Sequence, residues 1–162
     1  MTNDGFIART IELARANVEA GGRPFSCVIV RDSETIAEGV NLVAQTNDPT
    51  AHAEIVAIRE ACMLLGTENL YDCEIYVLAH PCPMCLGALY YCSPARVLFL
   101  TERRDYAQYY SDDRKYFEFA ALYDEWCKPW KERRLPMEYH PRAEGIAVYE
   151  LWHDRTRAEA TA

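Results

Sequence analysis

His52-Ala53-Glu54 and, thirty residues on, Pro81-Cys82-Pro83-Met84-Cys85 are the residues whose types and spacing can do chemistry. One imidazole and two thiolates suit Zn²⁺ in hardness and number, but they fall one ligand short of a closed tetrahedral site. A water can take the fourth position. Glu54 stands two residues beyond the histidine, close enough to act as the base for that water. The pattern therefore points to hydrolysis assisted by one zinc per chain, with His52, Cys82 and Cys85 as ligands and Glu54 as the proton carrier. The competing reading is a closed zinc knuckle with His80, His140 or His153 as fourth ligand. A C-x-x-C pair alone is weak evidence, since redox proteins carry it too.

The elements that would hold these residues can be read from periodicity. Ile7, Ile11, Ala14 and Val18 recur at helical spacing over 4–20, and Gly21-Gly22 ends that helix. Residues 25–30 read as a buried strand, turned at Asp32-Ser33 into a second strand near 35–40. A loop over 41–50 leads to a helix at 51–65. A strand at 73–79, a short helix at 83–92 and a strand at 96–100 follow. Beyond them come a helix near 113–127, a strand near 135–139 and a terminal helix near 142–157. This order predicts a five-stranded mixed sheet with helices on both faces, a three-layer α/β/α fold.

Residues i and i+2 inside a helix point to nearly opposite sides, so His52 and Glu54 reach one metal only if the helix starts there. Asp48-Pro49-Thr50 supplies capping chemistry for such a start, and Pro83 opens the second helix. Two helix N-termini would then converge on the ligands, favouring thiolate over thiol.

The chain has 162 residues, 50% of them hydrophobic, which suits one domain over 1–162. A net charge of −8 argues against a nucleic-acid partner, which needs a basic surface to displace counterions. Arg103-Arg104 and Lys131-Glu132-Arg133-Arg134 are the densest basic clusters. No apolar run reaches the roughly 18 residues of a membrane span, and the N-terminal residues lack a signal peptide's apolar stretch. Two of seven cysteines belong to the metal motif; the other five read as small core residues in a reducing, cytoplasmic setting.

The H-x-E…P-C-x-x-C pattern is the signature of zinc-dependent nucleobase deaminases. Asn47 through Glu54, joined to Pro81 through Ala88, resembles the cytidine-deaminase-like superfamily, and within it the guanine deaminases of bacterial type. The resemblance runs from about Phe6 to Arg134. Pro83 and the Asp-Asp pair at 112–113 are similar to the guanine branch. It implies the cytidine-deaminase-like α/β/α fold and conversion of guanine to xanthine plus ammonia. It further implies that Asn41 hydrogen-bonds the base, Phe25 stacks on it, the Ala53 backbone meets its polar edge, and Asp113 serves as a second acid. A homodimer with the C-terminal segment, about 135–162, exchanged between partners is implied as well.

Two departures concern substrate. His80 stands where the family has glutamate, and the tail lacks the family's closing aromatic, for which Tyr149 or Trp152 could substitute. His80 at a strand end beside the ligands is therefore expected on the pocket wall, either tuning substrate choice or bracing the loop. Three alternatives stay open: a deaminase of another amino-heterocycle (pterin, triazine, nucleoside or cytosine), a tRNA adenosine deaminase, and a non-catalytic zinc-stabilised interaction protein.

Overall fold

Strand β1 (Ser26–Arg31) turns through Asp32 and Ser33 into β2 (Glu34–Val40). Both turn residues have positive φ, 52° and 63°, the left-handed geometry that matches a two-residue hairpin to the strands' twist. In the computed structural model, which describes residues 3–111 and 114–160, these strands join β3 (Glu74–Ala79) and β4 (Arg96–Thr101) in the order β2-β1-β3-β4. β1 runs antiparallel to both neighbours, and β3 pairs parallel with β4. Between β1 and β2 the register shifts at Ile29/Val30.

The chain divides into two units, residues 1–112 and 113–162. In the first, alternate strand residues feed two cores. Cys27, Ile29, Ile75 and Val77 pack with Ala53, Ala57 and Ala61 of α3 (Ala53–Leu65) and with Leu89 and Cys92 of α4 (Pro83–Cys92). Val28, Val30 and Tyr76 pack on the opposite face with Phe6 of α1 (Asn3–Glu19). Helices on both faces of the sheet give the three-layer α/β/α arrangement. A four-residue helix, α2 (Val43–Thr46), lies within the stretch expected to be loop, and another, α5 (Arg103–Tyr106), follows β4.

The buried face of α1 is not the one its aliphatic spacing suggests. Phe6, Thr10, Ala14 and Asn17 are buried, whereas Ile11 and Val18 are 41% and 49% exposed. The polar pair can go inside because each has partners. The Thr10 hydroxyl donates to the Phe6 carbonyl, and the Thr10 carbonyl accepts from the Ser26 hydroxyl.

The second unit holds a 3₁₀ turn (Phe119–Ala121), α6 (Leu122–Cys127), a second 3₁₀ turn (Trp130–Glu132) and α7 (Ala143–Ala160). Glu125 is its polar hub: it accepts from the Lys128 ammonium at 2.8 Å and from the Arg134 backbone N–H, bonds that hold its carboxyl below the usual range. Along α7, Ile146, Val148, Tyr149, Leu151 and Trp152 are all exposed.

Two expectations are corrected here. The sheet among the described residues has four strands, not five: residues 135–139 form none. Pro136 removes a ladder donor from the middle of that five-residue run, and Leu135, Met137 and Tyr139 are exposed, so no buried face compensates. The helix expected over 113–127 shrinks to the 3₁₀ turn and α6. No helix of the described residues is long and apolar enough to cross a membrane.

Candidate active site

The site forms where α3 and α4 begin. His52 is the N-cap of α3 (φ −69°, ψ 155°) and Cys82 the N-cap of α4 (φ −68°, ψ 165°), with Pro83 at the first helical position. Neither cap makes a side-chain capping bond. Instead the side chains turn toward each other. His52 Nδ1 lies 3.6 Å from the Sγ of Cys82 and 3.6 Å from that of Cys85, and the three ligand atoms lie within 4.8 Å of one another. These separations suit three corners of one tetrahedron, and the donor set of one nitrogen and two sulfurs fits zinc. The expected contribution of Asp48 and Pro49 differs. Asp48 accepts from the Thr50 N–H and hydroxyl in a turn before the helix, and α3 starts only after His52.

The thiols divide one charge between them. A hydrogen bond from Cys85, supported by His52, holds Cys82 down to about 4 despite burial. The same bond, with burial, pushes Cys85 far upward. Glu54, the second residue of α3, is only 8% exposed, and burial raises its carboxyl above the ordinary value. A dication among the three ligands would pull in the opposite direction.

Close packing of α3 on the sheet sets these positions. A Cβ at Gly39 would overlap the Ala53 carbonyl oxygen and stand 2.8 Å from the Ala57 nitrogen, so only glycine lets the helix start approach β2. Ala53 itself is fully buried.

Asn41 is 1% exposed and tied at three atoms. Its Oδ1 accepts from the Val43 N–H at 3.2 Å, its N–H donates to the Phe25 carbonyl at 3.1 Å, and its carbonyl accepts from Asn17 Nδ2 at 3.0 Å. Its Nδ2 meets no protein acceptor among the described residues. Asn17 also donates to the Arg23 carbonyl at 2.7 Å, thereby bracing both the segment before Phe25 and Asn41. A Cβ at Gly22 would collide with the Asn17 amide.

The structure brings His52, Glu54, Cys82 and Cys85 together, and joins Phe25 to Asn41 through the backbone. His80 stands at the end of β3, two residues before Cys82. It is exposed, its ring stands edge-on to Phe99 at 5.0 Å, and it lines a groove of about 440 Å³ with Pro81, Leu86, Tyr90, Val97 and Phe99. None of the metal-triangle residues, Glu54, Asn41 or Phe25 lines that groove. Its N–H donates to the Thr101 carbonyl at 2.8 Å, and this bond braces the entry to Pro81-Cys82. Asp113 lies outside the described residues. Asn17, which braces Asn41, carries one signal in the sequence, a polar residue inside a helix's apolar register.

Two helix starts supplying an imidazole and two thiols, with a buried carboxylate alongside, define a zinc hydrolase site. The chain belongs to the family of the cytidine and deoxycytidylate deaminase zinc-binding region, whose model matches residues 1–101. It is therefore a zinc-dependent deaminase. It is 42% identical to the guanine deaminase of Bacillus subtilis over 155 residues, covering 95% of this chain and 96% of that one. The crystal structure of guanine deaminase from B. subtilis superposes with a TM-score of 0.85 at 41% identity, over 95% of each chain. A tRNA-specific adenosine deaminase of Aquifex aeolicus is 33% identical over 157 residues, 97% of each. A solved structure in complex with 2,6-diaminopurine matches 65% of this chain and 60% of its own with a TM-score of 0.61 and 31% identity.

Proposed function

We propose that this chain hydrolyses guanine to xanthine and ammonia. The observation that carries the reading is the buried Glu54 carboxyl placed on the same helix start as His52, facing two thiols on a second helix start. The near-full-length likeness to a guanine deaminase supports guanine among amino-heterocycles, and the net charge of −8 disfavours tRNA.

His52, Cys82 and Cys85 would hold the zinc. Bound there, zinc supplies Lewis acidity that lets a water lose a proton near neutral pH. Glu54 takes that proton as the oxygen bonds to the ring carbon bearing the amine. It passes the proton to the adjacent ring nitrogen, then moves the oxygen's remaining proton to the amine, which leaves as ammonia as the C–N bond breaks. In this reading the Asn41 Nδ2 donates to an acceptor on the base, its Oδ1 being engaged by the Val43 N–H. Phe25 offers the stacking face, and the Ala53 backbone a polar contact. Asp113 as second acid rests on resemblance. His80 belongs with loop bracing, because its ring faces Phe99 and a separate groove.

The same reading includes a homodimer with the C-terminal segment exchanged. The exposed apolar residues of α7 favour a partner, and seven free thiols suit a reducing, cytoplasmic setting. Ammonia release should be assayed across guanine, adenine, cytosine, a pterin, an amino-triazine and tRNA. Guanine is expected to give the highest kcat/KM. A higher value for any other member would overturn the substrate assignment.

A further inference from the structure

Past the carboxyl end of β4 the chain brings two rings onto Phe25, whose carbonyl accepts from the Asn41 N–H. Tyr106 ends α5, and Tyr110 follows one turn later, its N–H donating to the Tyr106 carbonyl at 3.1 Å. Both meet Phe25, with centroids 5.9 Å and 4.9 Å away and planes at 76° in each case. Edge-to-face contact is a favoured arrangement for aromatic pairs, so two tyrosines one turn apart hold the Phe25 ring in one orientation. The Arg23 guanidinium lies 5.9 Å from the centre of the Tyr110 ring. The turn carrying Tyr106 is itself held by reciprocal bonds between the Glu102 and Asp105 side chains and the backbone N–H of the other.

Of the two tyrosines, Tyr106 is the one whose phenol feels the charges of Cys82 and Glu54. Its phenol is half-buried, and burial raises it above the ordinary value; the Arg103 charge opposes this, while those of Cys82 and Glu54 add to it. The residue thus touches Phe25 and feels both Glu54 and a metal ligand.

We infer that Tyr106 is a specificity-determining residue that contacts the base directly, its ring bounding the slot beside Phe25 and its hydroxyl hydrogen-bonding a polar atom of the base edge. The inference rests on the purine-deaminase reading above. A phenol both donates and accepts, so it discriminates between oxo and amino substituents that an apolar wall would treat alike.

Tyr106→Phe removes the hydroxyl alone, and Tyr91→Phe, at a 92% exposed position, is the reference. Zinc content, Tm, and kcat and KM for guanine and for 2,6-diaminopurine are measured on each. Tyr106→Phe should change the ratio of the two kcat/KM values by about tenfold at parental zinc content and Tm, with Tyr91→Phe leaving it unmoved. An unchanged ratio, or a parallel loss on both purines with a lowered Tm, would overturn the inference. If the parent releases ammonia from neither purine, the substrate reading falls, and calorimetric Kd values for both purines then decide Tyr106. Unequal changes in Tyr106→Phe uphold it; equal changes, no change, or no binding to the parent overturn it.

Discussion

The two ends of the α3–α4 pair set the same residue type in different surroundings. Where the helices begin, Cys82 is held down to about 4 by a hydrogen bond from Cys85 and by His52. Where they end, Cys92 is pushed up to about 11 by burial beside the Cys62 and Cys73 thiols, and Cys73 also reaches about 11, by burial and the adjacent Asp72. Cys73 and Cys92 belong to the core packed between the sheet and these helices. What differs is the company: helix N-termini and an imidazole at one end, apolar side chains and other thiols at the other. Cysteine count says little about chemistry; the groups beside a thiol say more, since Cys85, in the same first turn as Cys82, is pushed upward by its bond to Cys82 and by burial.

The largest effect should come from exchanging the two kinds of thiol. Cys82→Ala or Cys85→Ala is expected to lose zinc by elemental analysis, to reduce ammonia release to background, and to lower Tm because the ligands hold two helix starts together. Cys73→Ala or Cys92→Ala should retain zinc and activity at a cost of about 1–2 kcal/mol in denaturant unfolding. Loss of zinc from the second pair would erase the contrast.

Next in size is Glu54→Gln, which keeps shape but accepts no proton. It should bind zinc normally while kcat falls by about three to four orders of magnitude. Near-parental turnover would remove Glu54 from the mechanism. Smaller again is Gly39→Ala. The added methyl must push α3 off β2, which should cost about 1–3 kcal/mol in stability and lower kcat, with the far-end thiols remaining unalkylated in the native protein.

The smallest effect concerns α1, which touches neither thiol set. Arg9 donates to both Glu38 carboxylate oxygens at 2.7 Å, and this holds Glu38 below the ordinary carboxylate range. A depressed folded value means the contribution is present above the unfolded pKa, about 4.3, and disappears as pH falls through the folded one. With both side chains about one-third exposed, Glu38→Gln should cost less than about 1 kcal/mol at pH 7. Urea unfolding of the two proteins should converge once pH falls below the folded Glu38 pKa. A gap that persists there would assign the effect to packing.

Much of this architecture was legible in local pattern. The span 83–92 matches α4, because Pro83 tolerates only a helix start and the apolar run gives its length. The argument that i and i+2 share a target only at a helix start placed His52 and Glu54 correctly. Periodicity misjudged α1, since burial of Thr10 and Asn17 depends on partners supplied by other elements. The strand expected near 135–139 does not form, because Pro136 removes a ladder donor and no buried face compensates.

The sequence by itself determined the metal ligands, the base beside them and the helix starts that carry both, since those follow from residue chemistry at short spacing. Tertiary structure decided the long-range contacts around them. It turned His80 toward Phe99, brought Asn17 across to Asn41, and set Tyr106 against Phe25, eighty-one positions apart in the chain. Contacts between residues so distant depend on how sheet faces and loops are closed, and no local period encodes that.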